Sequence, residues 1–598
     1  MLTINNVHQQ FAAYFKNEKL RPFLYLVSKK LSEGHICLAL NEVVDDQDFS
    51  LYYGKSSIAN HKSLLKNESL IGRERGDKQP FILHNDNLYL QRYFNYESII
   101  IQRIQQFVQN EKIKLPQRID LLQNNKEVVI DLFPLSDKKS NEPNWQKIAT
   151  INCVLNDFNI ITGGPGTGKT TTVAKILTLI FNIYPGCKIA LAAPTGKAAS
   201  RMAEALKSAL ADNVMLFEKM NAIVPTTLHR LLKIAPGATK VTYNQDNPLN
   251  YDIIILDESS MIDVALFAKL MQAVGDNTKL ILLGDKDQLA SVEAGSLFGD
   301  LCKALPGLNN FSLERANLIN SFIKNDSLEI SGKNIEEENK HPLFQHIVEL
   351  RVSHRFKNNE GIGRFSKAII NNDQLTIKQF FVKDFDSQVC IDVFYNDELF
   401  ESFVRGYGDF INEKDILTAI KKLNNLKVLC ALREGSYGLV ATNNRIEYIL
   451  RKHGLLKGVG EFYENRPIMV SRNYYDLQLF NGDIGIIRPD KNGQMKAWFI
   501  DNEKNLRSIL PGYITDAETV FAMTIHKSQG SEFDNVLLLL PVVGDISLLT
   551  RELLYTAVTR AKKSVLIQGK GEVINTTANN SVKRISGIKD RLLNAVHK

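Results

Sequence analysis

The residues with the clearest capacity for chemistry lie in ITGGPGTGKTTT, where Gly163 stands ahead of Gly168, Lys169 and Thr170 with four residues between. Glycines at this spacing let successive backbone N–H groups curl around phosphate oxygens, and a helix opening at the last of them adds its positive end. Gly163, Gly164, Pro165, Gly166, Thr167, Gly168, Lys169, Thr170 and Thr171 are thus the candidate nucleotide-binding residues. Lys169 is placed to reach the β- and γ-phosphates of ATP, and the Thr170 hydroxyl to bind Mg2+. Further along, YDIIILDESSM ends an apolar run in Asp257 and Glu258. A carboxylate at the tip of a parallel strand lies beside such a loop, so Asp257 can hold Mg2+ and Glu258 can orient an attacking water. The next apolar run, KLILLGDKDQL, delivers Gln288, an amide able to bond a terminal phosphate in one state and release it in another.

One phosphate-binding domain would account for these residues and would suit many nucleotide enzymes. Two later segments ask for a second domain. LRVSHRF carries Arg355 and LLYTAVTRAK carries Arg560, each near the edge of an α/β pattern. Arginines delivered to a γ-phosphate from a second domain stabilise transition-state charge and couple hydrolysis to domain closure. Between them AMTIHKSQGSEF gathers small donors: Thr524, His526, Lys527, Ser528 and Gln529.

The elements that must position these residues are short apolar strands separated by helices. Candidate strands fall at 159–162, 189–193, 253–256 and 280–283, and a second set at 427–431, 536–540 and 564–568. Strands alternating with helices predict parallel sheets covered on both faces, an α/β fold. The Gly- and β-rich stretch 466–498 predicts a small inserted β-barrel. Residues 1 to about 110 read as a self-contained segment without catalytic motifs, in which Ile100, Ile104 and Phe107 share one helix face. SDKKSNEPN, at 136–144, reads as a linker or surface loop. KVTY within 235–252 could form a short hairpin, or the stretch could be a plain surface loop.

Composition bounds the class rather than the chemistry. With 598 residues, 44% hydrophobic and 23% charged, the chain is globular and long enough for several domains. Its net charge of +7, from 73 Lys+Arg against 66 Asp+Glu, is compatible with a polyanionic partner without requiring one. Cys37, Cys153, Cys187, Cys302, Cys390 and Cys430 are scattered, with no C-x-x-C, which argues against a disulfide framework or zinc site. MLTINNVHQQ lacks the pattern of a signal peptide, and the longest apolar run is too short to span a bilayer, so a cytoplasmic protein without membrane partners is expected.

In order, the P-loop, APTGKAA, TLHRLL, LDESSM, GDKDQLASVEAG, SHRF, TIHKSQGSEF and TAVTRAK resemble the superfamily 1 helicases from Gln146 to Lys562. The resemblance implies that Gln146 reads adenine, that Gly530 and Glu532 face the nucleotide, and that Thr195, His229, Thr524 and His526 contact single-stranded DNA. It narrows further: VSKKLSEGHICLAL, LYLQRYFNYE, LCALREGSYG and RPIMVSRNYYDLQLFNGDIGI look like the RecD family, the α subunits of bacterial RecBCD complexes (exodeoxyribonuclease V). That family implies an N-terminal, mainly helical domain (1–110) for partner docking. It further implies two RecA-like motor domains (111–350, with a possible hairpin at 233–250, and 351–598) and an SH3-like barrel inserted at about 455–515. It implies ATP-driven 5′→3′ helicase activity on single-stranded and duplex-end DNA, RecB-like and RecC-like partners, and a role in double-strand break repair and degradation of linear DNA. No separate nuclease site is evident in the residues, so nuclease activity is expected only of the assembled complex. A free-standing RecD-like helicase is the alternative reading, and a scaffold with a decayed ATP site a more distant one. On the docking reading, residues 1–110 should be removable without loss of the ATPase.

Overall fold

The computed structural model describes residues 6–41, 65–66, 68–134, 142–211, 214–234, 241–291, 293–323, 328–337, 339–356, 360–474, 476–501, 505–543 and 547–594. The first lobe is built on a six-stranded sheet. Its strands run in the order Ile347–Leu350, Phe158–Gly163, Lys279–Gly284, Ile253–Leu256, Ile189–Ala193 and Thr226–Thr227, every pair parallel. The central strands are buried along their whole length, so their continuous apolar runs serve helices packed on both faces. The second lobe repeats the pattern with five parallel strands: Val389–Asp392, Ala561–Gln568, Phe533–Leu539, Leu426–Cys430 and Ala522–Thr524. In the first sheet the phosphate loop, Asp257 and Gln288 follow the carboxyl ends of strands, where parallel sheets place their sites, whereas in the second Thr524 ends a strand and Glu532 and Arg560 stand just before the amino ends of two others.

The insert departs from expectation. Pro467–Val470, Ile484–Pro489, Met495–Ile500, Leu506–Ile509 and Ala517–Thr519 form an open antiparallel sheet of five strands rather than a closed barrel. Its edges, Leu506–Ile509 and Ala517–Thr519, are only four and three residues long and do not pair with each other. The single 3-10 turn Pro511–Tyr513 lies between them, and its proline has no N–H to give to a ladder.

The N-terminal segment joins a small sheet to its helices. Helices Val7–Tyr14 and Arg21–Ser32 accompany a four-stranded sheet in the order Cys37–Ala39, Asn87–Leu90, Phe81–His84, Ile71–Gly72. Its central hairpin turns on Asn85 and Asp86, whose φ values of 47° and 62° suit a two-residue turn with both positions left-handed. The boundary expected near residue 110 falls inside a single 34-residue helix, Gln91–Asn124. That helix presents Ile100, Ile101, Ile104 and Phe107 to the same core as Phe158, Ile254 and Leu270 of the first lobe. The Phe107 ring stacks on Phe158 at 5.8 Å, and the Glu111 carboxylate accepts the Phe158 N–H at 2.9 Å.

Beyond its helix Gly571–Asn579, the second lobe sends a strap back to this region. Ile585 accepts the Ile36 N–H at 2.9 Å, Arg584 donates to the Gly295 carbonyl at 2.8 Å, and Gly587 donates to Glu97 Oε1 at 3.0 Å. Helix Ile588–Asn594 then seats Ile588 and Leu592 in the first-lobe core, with Arg591 paired to the fully buried Glu97 at 3.0 Å. Residues 235–240 of the expected hairpin and 136–141 of the expected linker lie outside the described residues. What is described of the former is a tight turn bridged at Asn244 and Asn247, with Val241 and Tyr243 laid on the first-lobe core. None of the six cysteines is paired, and among the described residues no helix is long and apolar enough to cross a membrane.

Candidate nucleotide and DNA clefts between the lobes

Both lobes contribute to a cavity of about 720 Å³ that collects Gln146, the loop residues Pro165 to Thr171, Asp257, Glu258, Gln288, Arg355, Gly530, Glu532 and Arg560. Of the expected nucleotide residues only Gly163 and Gly164 stay behind its wall, where their carbonyls accept from Lys169 Nζ at 2.5 and 3.2 Å. The loop owes its shape to glycines at two forced positions. Gly166 (φ 76°) and Gly168 (φ 83°) adopt left-handed backbone, and a Cβ at either would strike Arg355 or Gln146 respectively. Helix Lys169–Ile183 opens directly behind Gly168, so its free N–H groups face the cavity. Gln146, on helix Trp145–Leu155, donates to the Thr167 carbonyl at 3.1 Å. Across the lobe boundary the His354 N–H donates to the Gly166 carbonyl at 2.8 Å.

Asp257 and Glu258 share the far wall. Burial, and then the neighbouring Glu258, push the Asp257 carboxyl up to about 6. Glu258 itself sits at φ 50°, a left-handed backbone unusual outside glycine. Two close carboxylates and the Thr170 hydroxyl make a set of hard oxygens suited to Mg2+, whose charge would offset their mutual repulsion. On the opposite side Glu532 is bonded to Arg355 at 2.7 Å and to Arg201 at 3.3 Å. Burial works to raise its carboxyl, but these two guanidinium groups hold it below the usual range. Arg560 is buried and donates to the Thr556 and Ser531 carbonyls at 3.1 and 3.2 Å. Two cavity-lining atoms are buried with no hydrogen-bond partner: Arg355 Nη1 and Gln288 Oε1. Such atoms cost stability unless a ligand meets them.

A second cleft, of about 740 Å³, brings Thr195, His229, Thr524 and His526 together from three separate segments. Thr195 caps helix Gly196–Ala209 by accepting from Ala198 N–H at 3.3 Å, and Thr227 caps Leu228–Leu231 in the same way, which sets His229 in place. Burial lowers the pKa of both His229 and His526, so the imidazoles are neutral near pH 7. Positive charge comes from Lys197, Arg230 and Lys527, and the Arg230 guanidinium lies 4.2 Å from the Phe480 ring centre, which reaches in from the inserted sheet.

Three family descriptions match the chain: the AAA domain over 146–294, the UvrD-like helicase C-terminal domain over 519–567, and the N-terminal domain of RecBCD enzyme subunit RecD over 4–89. RecBCD enzyme subunit RecD of Buchnera aphidicola subsp. Acyrthosiphon pisum is 30% identical over 601 aligned positions, covering 97% of this chain and 95% of that protein. This chain belongs to the RecD family. The Haemophilus influenzae RecD is 35% identical over 75% of this chain and 72% of its own length. The ATP-dependent RecD2 DNA helicase of Deinococcus radiodurans is 25% identical over 67% of this chain and 46% of its own. As a RecD family member the chain is an ATP-dependent DNA helicase of RecBCD-type repair.

Sequence reasoning missed several residues that this RecD chain brings into the clefts. Arg201, six residues after Thr195 on the same helix, lines the nucleotide cavity and bonds both Glu532 and the Gly530 carbonyl. Its signal was helical spacing from APTGKAA, but its partners come from the other lobe. His354 lies one residue before Arg355 and was readable as part of SHRF. Phe480 had no signal, since the loop that carries it is placed by the inserted sheet.

Proposed function

We propose that the chain is the 5′→3′ motor subunit of a RecBCD-type helicase–nuclease, acting on single-stranded and duplex-end DNA beside RecB-like and RecC-like subunits in the cytoplasm. The observation that carries the motor reading is convergence. Residues from eight separated motifs meet in two adjoining clefts, and each cleft is walled by both lobes. In the first, Lys169 and Thr170 would hold the phosphates and Mg2+ of ATP, with Asp257 as the carboxylate partner and Gln146 beside the base. Bound Mg2+ would neutralise charge on the β- and γ-phosphates. Glu258 orients the attacking water and accepts its proton. Arg355, through its free Nη1, and Arg560 face the charge that builds in the transition state. Gln288 lines the same cavity, and its unpartnered Oε1 can accept from a water beside the terminal phosphate.

In the second cleft Thr195, His229, Thr524 and His526 would grip the backbone of a single strand, and Phe480 offers a ring face to a base. Closing the lobes around ATP changes the width of that cleft too, which turns hydrolysis into movement. The small sheet and helices before residue 91 are the proposed docking surface for a RecC-like subunit. Strand separation on duplexes with only a 5′ or only a 3′ tail, with and without partner subunits, tests the reading. Unwinding that starts from the 3′ tail would refute the polarity, and full activity with no gain on assembly would favour a free-standing helicase.

A further inference from the structure

The two clefts are joined at one residue, Leu289. Leu289 follows Gln288 in the first lobe, yet its side chain packs in the core of the second. Its backbone is gripped from the second lobe on both sides: the Leu289 N–H donates to Thr556 Oγ1 at 3.0 Å, and the Leu289 carbonyl accepts from Gln529 Nε2 at 2.8 Å. One turn earlier Tyr555 donates to Asp285 Oδ2 at 3.0 Å, and the same oxygen accepts from Gln288 Nε2, also at 3.0 Å. Gln288 is therefore fixed at its amide nitrogen and at the next peptide, while its side-chain Oε1 is left without a partner. Gln529 comes from the segment that carries Thr524 and His526 along the second cleft, and the residues on either side of Ser531, Gly530 and Glu532, reach the nucleotide cavity.

We propose that Gln529 is a positioning residue through which the contents of the DNA-facing cleft set the pose of Gln288, and hence the rate of hydrolysis. This rests on the reading of the two clefts given above. A strand that shifts the 524–529 segment pulls on the Leu289 carbonyl, and because the Leu289 side chain is packed in the second-lobe core and its N–H is held by Thr556, the pull passes through Leu289 to the preceding peptide, whose first Cα carries the Gln288 side chain. Two discrete arrangements of one packed element, each favoured by a different ligand, are what coupling between sites requires.

The test uses the full-length chain, ATP and oligothymidylate. Gln529→Met keeps length and volume but removes the donor. Its turnover at saturating oligothymidylate should fall about tenfold, the range expected for loss of one coupling contact, while KM for ATP and nucleotide-free DNA affinity stay within about twofold. The gain in DNA affinity brought by a non-hydrolysable ATP analogue should shrink by the same factor, because linkage is reciprocal. Thr556→Val removes the other half of the grip, and the double variant should be no worse than the worse single. Weakened nucleotide-free DNA binding with normal turnover at saturation would make Gln529 a strand contact and overturn the proposal. Equal losses with and without DNA, or full additivity in the double variant, would overturn it in favour of a structural role. A wild-type chain whose turnover ignores oligothymidylate would sink the reading of the second cleft itself, and this coupling with it.

Discussion

Removing residues 1–110 should destroy the first lobe rather than merely undock it. The cut passes through helix Gln91–Asn124 and takes away Ile100, Ile101, Ile104 and Phe107, which are 0%, 6%, 0% and 1% exposed. Each side chain of this kind contributes roughly 1.5–3 kcal/mol on burial, so the four together are worth about 6–12 kcal/mol. Whole domains are stable by only about 5–15 kcal/mol. The truncation also strips Phe158 of its stacked partner beside the strand that ends in the phosphate loop, and it leaves the strap residue Arg591 without Glu97. A chain starting at residue 91 keeps all of these and loses the small sheet and the helices Val7–Tyr14 and Arg21–Ser32, with Ile36, Ile82 and Tyr89 of the shared core and the Ile36–Ile585 bond. Comparing soluble yield, thermal melting and DNA-stimulated ATPase for the two truncations tests the assignment. We expect the longer chain to melt lower than the full-length protein yet hydrolyse ATP, and the shorter one to be insoluble or inactive. A soluble 111–598 fragment with near-normal DNA-stimulated turnover would refute the shared core.

Three further outcomes are expected. Lys169→Gln should abolish ATP hydrolysis without lowering the melting temperature, because it removes the cation at the loop but no core packing; folded protein with near-normal turnover would contradict the loop assignment. Arg355→Ala should keep nucleotide binding and lower turnover by about three orders of magnitude, as arginine fingers do. Lost ATP affinity with unchanged turnover of bound ATP would instead make it a ground-state anchor. Affinity for unrelated oligonucleotides, measured by filter binding, should fall steeply with salt and vary little with sequence; a large, salt-insensitive preference for one sequence would point away from a motor.

The phosphate loop and the parallel sheets were legible because their signals are local. A run such as IIIL at 253–256 is apolar at every position since both faces of the strand are covered, and the glycine spacing of 163–168 follows from backbone geometry alone. The N-terminal sheet was legible in principle: FILHNDNLYL sets two apolar runs about an Asn-Asp turn. Its strands of two to four residues were masked by the helical pattern that follows. The domain boundary near 110 was misplaced because Pro116 and a polar stretch sit inside a helix that continues regardless, held by Arg118 on Asp157 and Glu111 on the strand below. The roles of Arg201, Gln529 and Thr556 were hidden for a different reason. Helical spacing pointed to Arg201 and the donor-rich motif held Gln529, but the partners of all three lie hundreds of residues away, so no spacing along the chain announces the contacts.

The strap has a mechanical consequence. The second lobe is fastened to the first between Leu350 and Gly361, beside the phosphate loop, and again through the extended residues 580–587, beside Gly34, Gly295 and Glu97. A rigid body pinned at two separate points retains one easy freedom, rotation about the line that joins them, as a door turns on a pair of pins. Sliding or twisting would strain one fastening or the other. Both clefts open between the same two bodies, so a single angle sets the width of each. On the motor reading, the expected stroke is a swing along one coordinate, with its axis written into the path of the chain.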